Sequence, residues 1–483
     1  MSVLAGPMST IERSMPMRVI GTVVALRGMT VLVEDAPLPV GSLVSIRAGD
    51  ATPASVFGHG VLQRHAPSER REVLGEIVGF TREQAIVMPL GSTEGVRPGD
   101  RVVGEQTEQS APVGARLLGR VLDGLGRPLD GMPGPTETEP RPIGPEPIGA
   151  LSRRRIVEPM ATGVRAIDLM APMGRGQRLG VFAGPGVGKS TLLGMVARGA
   201  QADVNVIALI GERGREVRDF VEHSLGADGL ARSVVIVATG DESPLLRLRA
   251  ARYACTVAEW FREHGRDVLL MMDSVTRFAH AQRQVGLSVG EPPASKGYTP
   301  SVFAQLALLL ERAGALEPTP GQASGVSGGS ITGLYTILVE GDDMTEPVAD
   351  AARGILDGHL VLSRRLAQRA HFPAIDVLDS VSRVADEVAS AEHTEARRVV
   401  LRLLAAYGKV EDLVQIGAYA KGSNPESDAA IELRPAAERL LRQSVDELED
   451  AAAAADRLLK LALQAIEMAP SLASGGVLAG ERA

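Results

Sequence analysis

A chain of 483 residues with 45% hydrophobic and 23% charged residues is too long for one core and too apolar for disorder, so about two or three globular domains are expected. A net charge of −8 with only 3% aromatics argues against a basic, base-stacking nucleic-acid surface. The single cysteine, Cys255, excludes an internal disulfide. With no long apolar run and no signal-like N-terminus, a cytoplasmic chain without a membrane span is expected.

Residues 1–17 are broken by Pro7 and Pro16, with Ile11, Met15 and Met17 as their one apolar stripe, and are expected to be flexible. From there to residue 104, short strand patterns alternate with Gly/Pro turns. Two stretches, starting at Gly21 and Gly75, resemble each other, and together they predict a small closed β-barrel over residues 1–104. Residues 131–148 are too rich in Pro and Gly for a regular element and read as a surface connector.

Strands and helices alternate from about residue 176. Apolar strands are predicted at Leu179–Ala183, Val204–Ile210, Val234–Ala238, Val268–Met272 and Ile331–Val339. One intervening helix is announced by Ser243 as cap, Pro244 at its first position and Gly265 past its end. Continuous apolar strands with helices between them predict a parallel sheet covered on both faces, over residues 105–372. Residues 373–483 read as a helical domain, with one helical stretch from Pro435 to 468 and a frayed tail.

The chemistry begins at GPGVGKST. Gly184, Pro185, Gly186, Val187 and Gly188 form a loop whose backbone can approach phosphate. Lys189 supplies an ammonium to the β/γ-phosphates, Ser190 offers a hydroxyl to Mg2+, and Thr191 continues into a helix whose N-terminus favours anions. Lys189 is one of only five lysines in a chain that otherwise uses Arg, which fits a site needing a point charge. Asp273 ends an apolar strand, the place for a carboxylate that holds Mg2+. Glu212 and Arg213 follow another strand. From the residues alone Glu212 is either the group that polarises water or a solvated loop acid.

GPGVGKST, IGERGREV, MMDSVTRFA, GEPPASKGYTPSVF and HFPAIDVLDSVSRV occur in this order between Gly184 and Val384. Together they resemble the catalytic subunits of rotary ATPases and the ATPases that energise type III protein export. The resemblance implies an α/β RecA-like P-loop core with an N-terminal barrel and a C-terminal helical domain. It implies that Glu212 activates water, since non-catalytic rotary subunits carry Gln there, and that Arg213 serves the γ-phosphate. It also makes Arg383 an arginine finger reaching the neighbouring subunit's nucleotide, Phe372 the ring stacking on adenine, and Arg277 a further active-site arginine. From sequence alone Arg383 and Phe372 are an ordinary surface Arg and a half-buried Phe.

The segments around Gly290 and Gly422 resemble the export enzymes, and IGAYAKGSNP with VMPLG (residues 87–91) resembles their flagellar branch. The resemblance implies a homohexamer that uses ATP and Mg2+ and binds no nucleic acid. Its expected partners are a stator-like regulatory protein, export-gate membrane proteins, export substrates and chaperones, met at the membrane's cytoplasmic face. The alternatives are an injectisome ATPase, a rotary synthase catalytic subunit, an RNA-translocating ring and a nucleotide-binding scaffold.

Overall fold

Alternating Val, Ile and Leu close the first unit of the chain. In the computed structural model, which describes residues 19–48, 71–145, 147–317, 328–339, 341, 343–447 and 449–473, six strands form a closed antiparallel barrel. They are β1 (Ile20–Arg27), β2 (Thr30–Glu34), β3 (Leu43–Ala48), β4 (Arg71–Phe80), β5 (Ala85–Pro89) and β6 (Arg101–Gln106), in the order β1-β2-β5-β4-β3-β6. Val23, Val33, Val44, Ile46, Ile77 and Val87 fill it with 1% exposure or less. Each such side chain contributes on the order of 2 kcal/mol by burial. The two resembling stretches supply the hairpins β1–β2 and β4–β5. Their glycines sit where the barrel wall is tightest: a β-carbon on Gly21 would meet the Glu34 carbonyl at 2.6 Å, and one on Gly75 would meet Val87 at 2.7 Å. The flexible segment expected over residues 1–17 lies outside the described residues.

The second unit is a sheet of parallel strands. Its members are β7 (Val121–Asp123), β8 (Arg178–Ala183), β9 (Val204–Ile210), β10 (Ser233–Ala238), β11 (Asp267–Asp273), β12 (Ser330–Leu338), β13 (Gly358–Leu362) and β14 (Ile375–Ser382). The order is β14-β13-β8-β12-β11-β9-β10-β7, with the short strand Gly314–Ala315 added to β12. Only β14 and that short strand run antiparallel to their neighbours. The five predicted strands are all present within a residue of their expected ends. β14 carries the sheet past residue 372, so the division expected at 372/373 falls just before its last strand.

Helices α1 (Arg165–Met170), α2 (Lys189–Gly199), α3 (Pro244–Glu263), α4 (Val275–Ser288) and α5 (Pro347–Ile355) belong to this unit. Ser243 caps α3 by accepting from the Leu246 amide at 3.2 Å, with Pro244 in the first position as predicted.

The helical unit is α6 (Ala391–Gln415), α7 (Pro425–Leu441) and α8 (Ala451–Met468). Here the single stretch expected from Pro435 is corrected. Pro435 lies inside α7, which starts ten residues earlier under an Asn424 cap that accepts from Glu426 and Ser427. The chain then leaves the helix at Arg442 and resumes under an Asp450 cap. Arg165 accounts for the break. Its buried guanidinium donates to the carbonyls of Leu440 (3.0 Å) and Arg442, groups that a helix end leaves free, and pairs with Glu447 and Glu449. Gln443 completes the joint by accepting from the Arg165 amide at 2.8 Å and donating to Gly163 O at 2.8 Å.

Removing a buried charge from such a set leaves its partners unmatched, at a cost of roughly 3 kcal/mol. Arg165→Ala is expected to lower unfolding stability by about that much. Urea denaturation of the variant measures it, and a loss below about 0.5 kcal/mol would mean that Arg165 does not tie the two units together.

Candidate active site

The phosphate loop lies between the buried end of β8 at Ala183 and the first turn of α2. Gly186 (φ 79°) and Gly188 (φ 94°) adopt the left-handed conformation that side chains resist. Val187 between them is buried and pins the loop to the core beneath, while Ser190 and Thr191 are exposed on the first turn. Among the described residues, the amides of Gly186, Val187 and Gly188 donate to no acceptor. A helix N-terminus with free amides is suited to bind phosphate oxygens. The Phe372 ring stands beside this loop, 3.9 Å from where a β-carbon on Gly188 would be, and 46% of the residue is exposed.

Sheet order brings the charged groups together. β8, β12, β11 and β9 are consecutive neighbours, so residues at their C-terminal ends converge. Lys189 Nζ lies 2.5 Å from Asp273 Oδ1 and 3.4 Å from Glu212 Oε1. The same Asp273 oxygen is also held by Thr336 of β12, whose hydroxyl donates to Oδ1 at 2.7 Å. Sequence reasoning missed Thr336. The signal was there: a Thr inside a strand buried on both faces, 0% exposed, must hydrogen-bond to something.

Burial sets the proton affinities. It pushes Lys189 down, but the charges of Asp273 and Glu212 outweigh it and hold the ammonium above its usual range. Glu212 is raised to about 7, first by burial, then by the Asp273 charge, against the pull of Lys189. Glu216, one turn on, is held below the usual carboxylate range first by its hydrogen bond with Glu212 and then by the Arg213 charge. A carboxyl poised near neutrality beside a lysine and a second acid can take a proton from water.

The other candidates stand apart from this cluster. The Arg213 side chain is 81% exposed and turned to Glu216 at 3.0 Å. Arg277 packs against Gly211, where a β-carbon would come within 2.7 Å of it. Arg383 follows β14 at the sheet edge and donates to the Arg353 carbonyl at 3.1 Å. The donor set suits Mg2+, which takes one or two hard protein oxygens and leaves the rest to phosphate and water: Asp273 offers a fixed carboxylate and Ser190 an exposed hydroxyl.

The comparisons with known proteins agree with this architecture. The ATP synthase alpha/beta family matches with its beta-barrel domain over residues 60–105 and its nucleotide-binding domain over residues 163–382. The T3SS EscN ATPase C-terminal domain matches residues 389–460. A flagellum-specific ATP synthase of Treponema pallidum is 47% identical over 90% of this chain and 92% of its own length. A type 3 secretion system ATPase of Xanthomonas euvesicatoria is 46% identical over 91% of this chain and 94% of its own. The assembled ATPase EscN of enteropathogenic E. coli superposes with a TM-score of 0.81 at 39% identity, over 92% of this chain and 100% of that one. The same protein in complex with its central stalk EscO superposes with a TM-score of 0.79. On its P-loop cluster, its barrel and these relatives, the chain belongs to the ATPases of type III protein export, a branch of the ATP synthase alpha/beta family.

Proposed function

We propose that this chain hydrolyses ATP to drive type III export of flagellar proteins, working as a homohexamer on the cytoplasmic face of the export apparatus. The observation that carries the catalytic part is the convergence of Lys189, Glu212 and Asp273 at one sheet edge beside free loop amides. In this reading Lys189 leaves its two acids for the β/γ-phosphate oxygens, and the loop from Gly184 to Thr191 cradles the phosphates. Asp273, oriented by Thr336, and Ser190 would hold Mg2+, which would supply positive charge against the phosphate oxygens when bound. Glu212, released from Lys189, takes the proton of the attacking water. Arg213 is free to swing to the γ-phosphate, since its exposed pair with Glu216 is worth only about 0.3–0.5 kcal/mol. Phe372 stacks on the adenine.

Arg383 lies at the sheet edge and is supplied to the neighbouring copy, where a cation in trans stabilises transition-state charge. EscN, a relative solved both assembled and with a central stalk, supports a ring with an axial partner. A stator-like regulator, export-gate membrane proteins, substrates and their chaperones complete the proposed partners. Among the described residues no helix is long and apolar enough to cross a membrane, so contact with it is peripheral in this reading. The injectisome is the second reading, favoured by the near-equal identity of the Xanthomonas relative. Deleting the gene decides: loss of flagellar filaments is expected, and intact filaments with lost secretion of other proteins would transfer the chain to an injectisome.

Glu212→Gln is expected to keep ATP binding and lose at least 100-fold in turnover. Parental hydrolysis by this variant would remove Glu212 from the mechanism. The same variant reports the carboxyl's electrostatics. Folding raises Glu212 from 4.5 to about 7, so the folded chain keeps a proton that the unfolded chain releases. The penalty on folding therefore grows as pH rises through that interval and is constant above it. Thermal unfolding should show Glu212→Gln gaining on the parent above pH 7, with the gain fading towards pH 4.5. Separately, Arg383→Ala should assemble yet barely hydrolyse, and mixing it with Lys189→Ala should restore part of the activity at hybrid interfaces. Mixed rings without recovery would rule out an arginine acting across subunits.

A further inference from the structure

α4 runs on from the end of β11, and from its first turn onward it lines a cleft of about 490 Å3 outside the cluster of Lys189, Glu212 and Asp273. Arg277 and Arg283 of α4 line it, together with Lys296, Tyr298, Asp343 and Glu346. The charges of its two acids are already engaged. Asp343 accepts from Lys296 at 3.2 Å and from the Thr345 amide at 2.9 Å. Glu346 caps α5, accepting from the amides of Val348 (3.0 Å) and Ala349 (3.1 Å).

The two arginines are not engaged in this way. Among the described residues neither side chain forms an ion pair or a hydrogen bond, and Arg283 lies over the Tyr298 ring at 5.2 Å from its centroid. Six residues of helix separate them by about 9 Å, with Arg277 at the end nearest Glu212, packed against Gly211. Among the described residues, two guanidinium groups without an ion partner thus lead from the catalytic edge into a cleft whose two acids are held by Lys296 and by backbone amides. Their planar forks match the oxygens of a tetrahedral oxyanion, and the aromatic face under Arg283 limits the directions its fork can take.

We propose that this cleft receives the inorganic phosphate released by hydrolysis, with Arg277 passing it on and Arg283 holding it before it leaves. The inference rests on the hydrolytic reading above for its source of phosphate. It makes product departure a step guided by α4, separate from the loop amides and Lys189 that hold the nucleotide.

The test is calorimetric titration of inorganic phosphate into the full chain loaded with ADP. Arg283→Ala should weaken phosphate binding about tenfold with ADP affinity unchanged, and Arg283→Lys, which keeps the charge over Tyr298, should recover part of it. In turnover, inhibition by added phosphate should weaken in step. Equal phosphate affinity in the parent and Arg283→Ala would overturn the proposal. So would an unchanged affinity with a loss of ring assembly on sedimentation, which would assign Arg283 to a carboxylate of a neighbouring copy. A parental chain that hydrolyses no ATP would sink the hydrolytic reading instead, and the ADP-loaded titration would still decide whether Arg283 binds phosphate.

Discussion

An ammonium taken out of water must be matched by negative charge, and that requirement organises the catalytic edge. Lys189 has a side chain only 13% exposed, and the two acids that match it come from different strands. Neither acid is near it in sequence. They are near it because β8, β12, β11 and β9 lie side by side and parallel, so their C-terminal ends meet at one edge of the sheet. Thr336 on the intervening strand then fixes the carboxylate that sits beside the lysine. The cluster is held together by desolvation and charge, and a triphosphate offers Lys189 the same kind of match. Exchange of one set of partners for the other is therefore a small change in energy and a large one in chemistry.

A second tie joins this edge to the helical unit. The segment after α7 is anchored on Arg165, and the Gln443 amide donates to the Phe372 carbonyl at 3.0 Å. Phe372 in turn stands against the phosphate loop. A shift of that ring is thus felt directly by the connection between α7 and α8. The Arg198 guanidinium of α2 adds another contact, donating to the Val445 carbonyl at 2.9 Å. Nucleotide site and C-terminal helices thus share a boundary in which the side chains of Arg165, Arg198 and Gln443 grip backbone groups of the other unit.

Much of this was legible in the sequence, and what was not has physical causes. The loop at GPGVGKST and the five central strands announce themselves because glycine placement and two-sided burial constrain composition strongly. Strands β7, β13 and β14 did not. β7 is three residues long, and β14 (IDVLDSVS) mixes Asp and Ser into its pattern because an edge strand has one wet face. The break between α7 and α8 was invisible because its cause, Arg165, is far away in sequence. Glu212 remained ambiguous for the same reason: only the strand order brings it to Lys189. Arg383 and Phe372 came from resemblance alone, since an Arg after a strand and a Phe before a Pro carry no mark of a ligand in a single sequence.

The position of β14 at the end of the sheet has a further implication. An outermost strand has no neighbour on one side, and β14 exposes Leu378 and Val381 there, while its Leu378 and Asp379 amides donate to Asp376 Oδ1 at 3.2 and 3.4 Å. Such an edge invites unplanned strand pairing whenever the chain is alone. Asp376 and Asp379 interrupt it with negative charge, in the manner of gatekeeper residues flanking apolar strands. The strand that leads to Arg383 is therefore also an outer edge of the sheet, and under the role proposed for Arg383 the same eight residues must both resist mispairing and present that side chain.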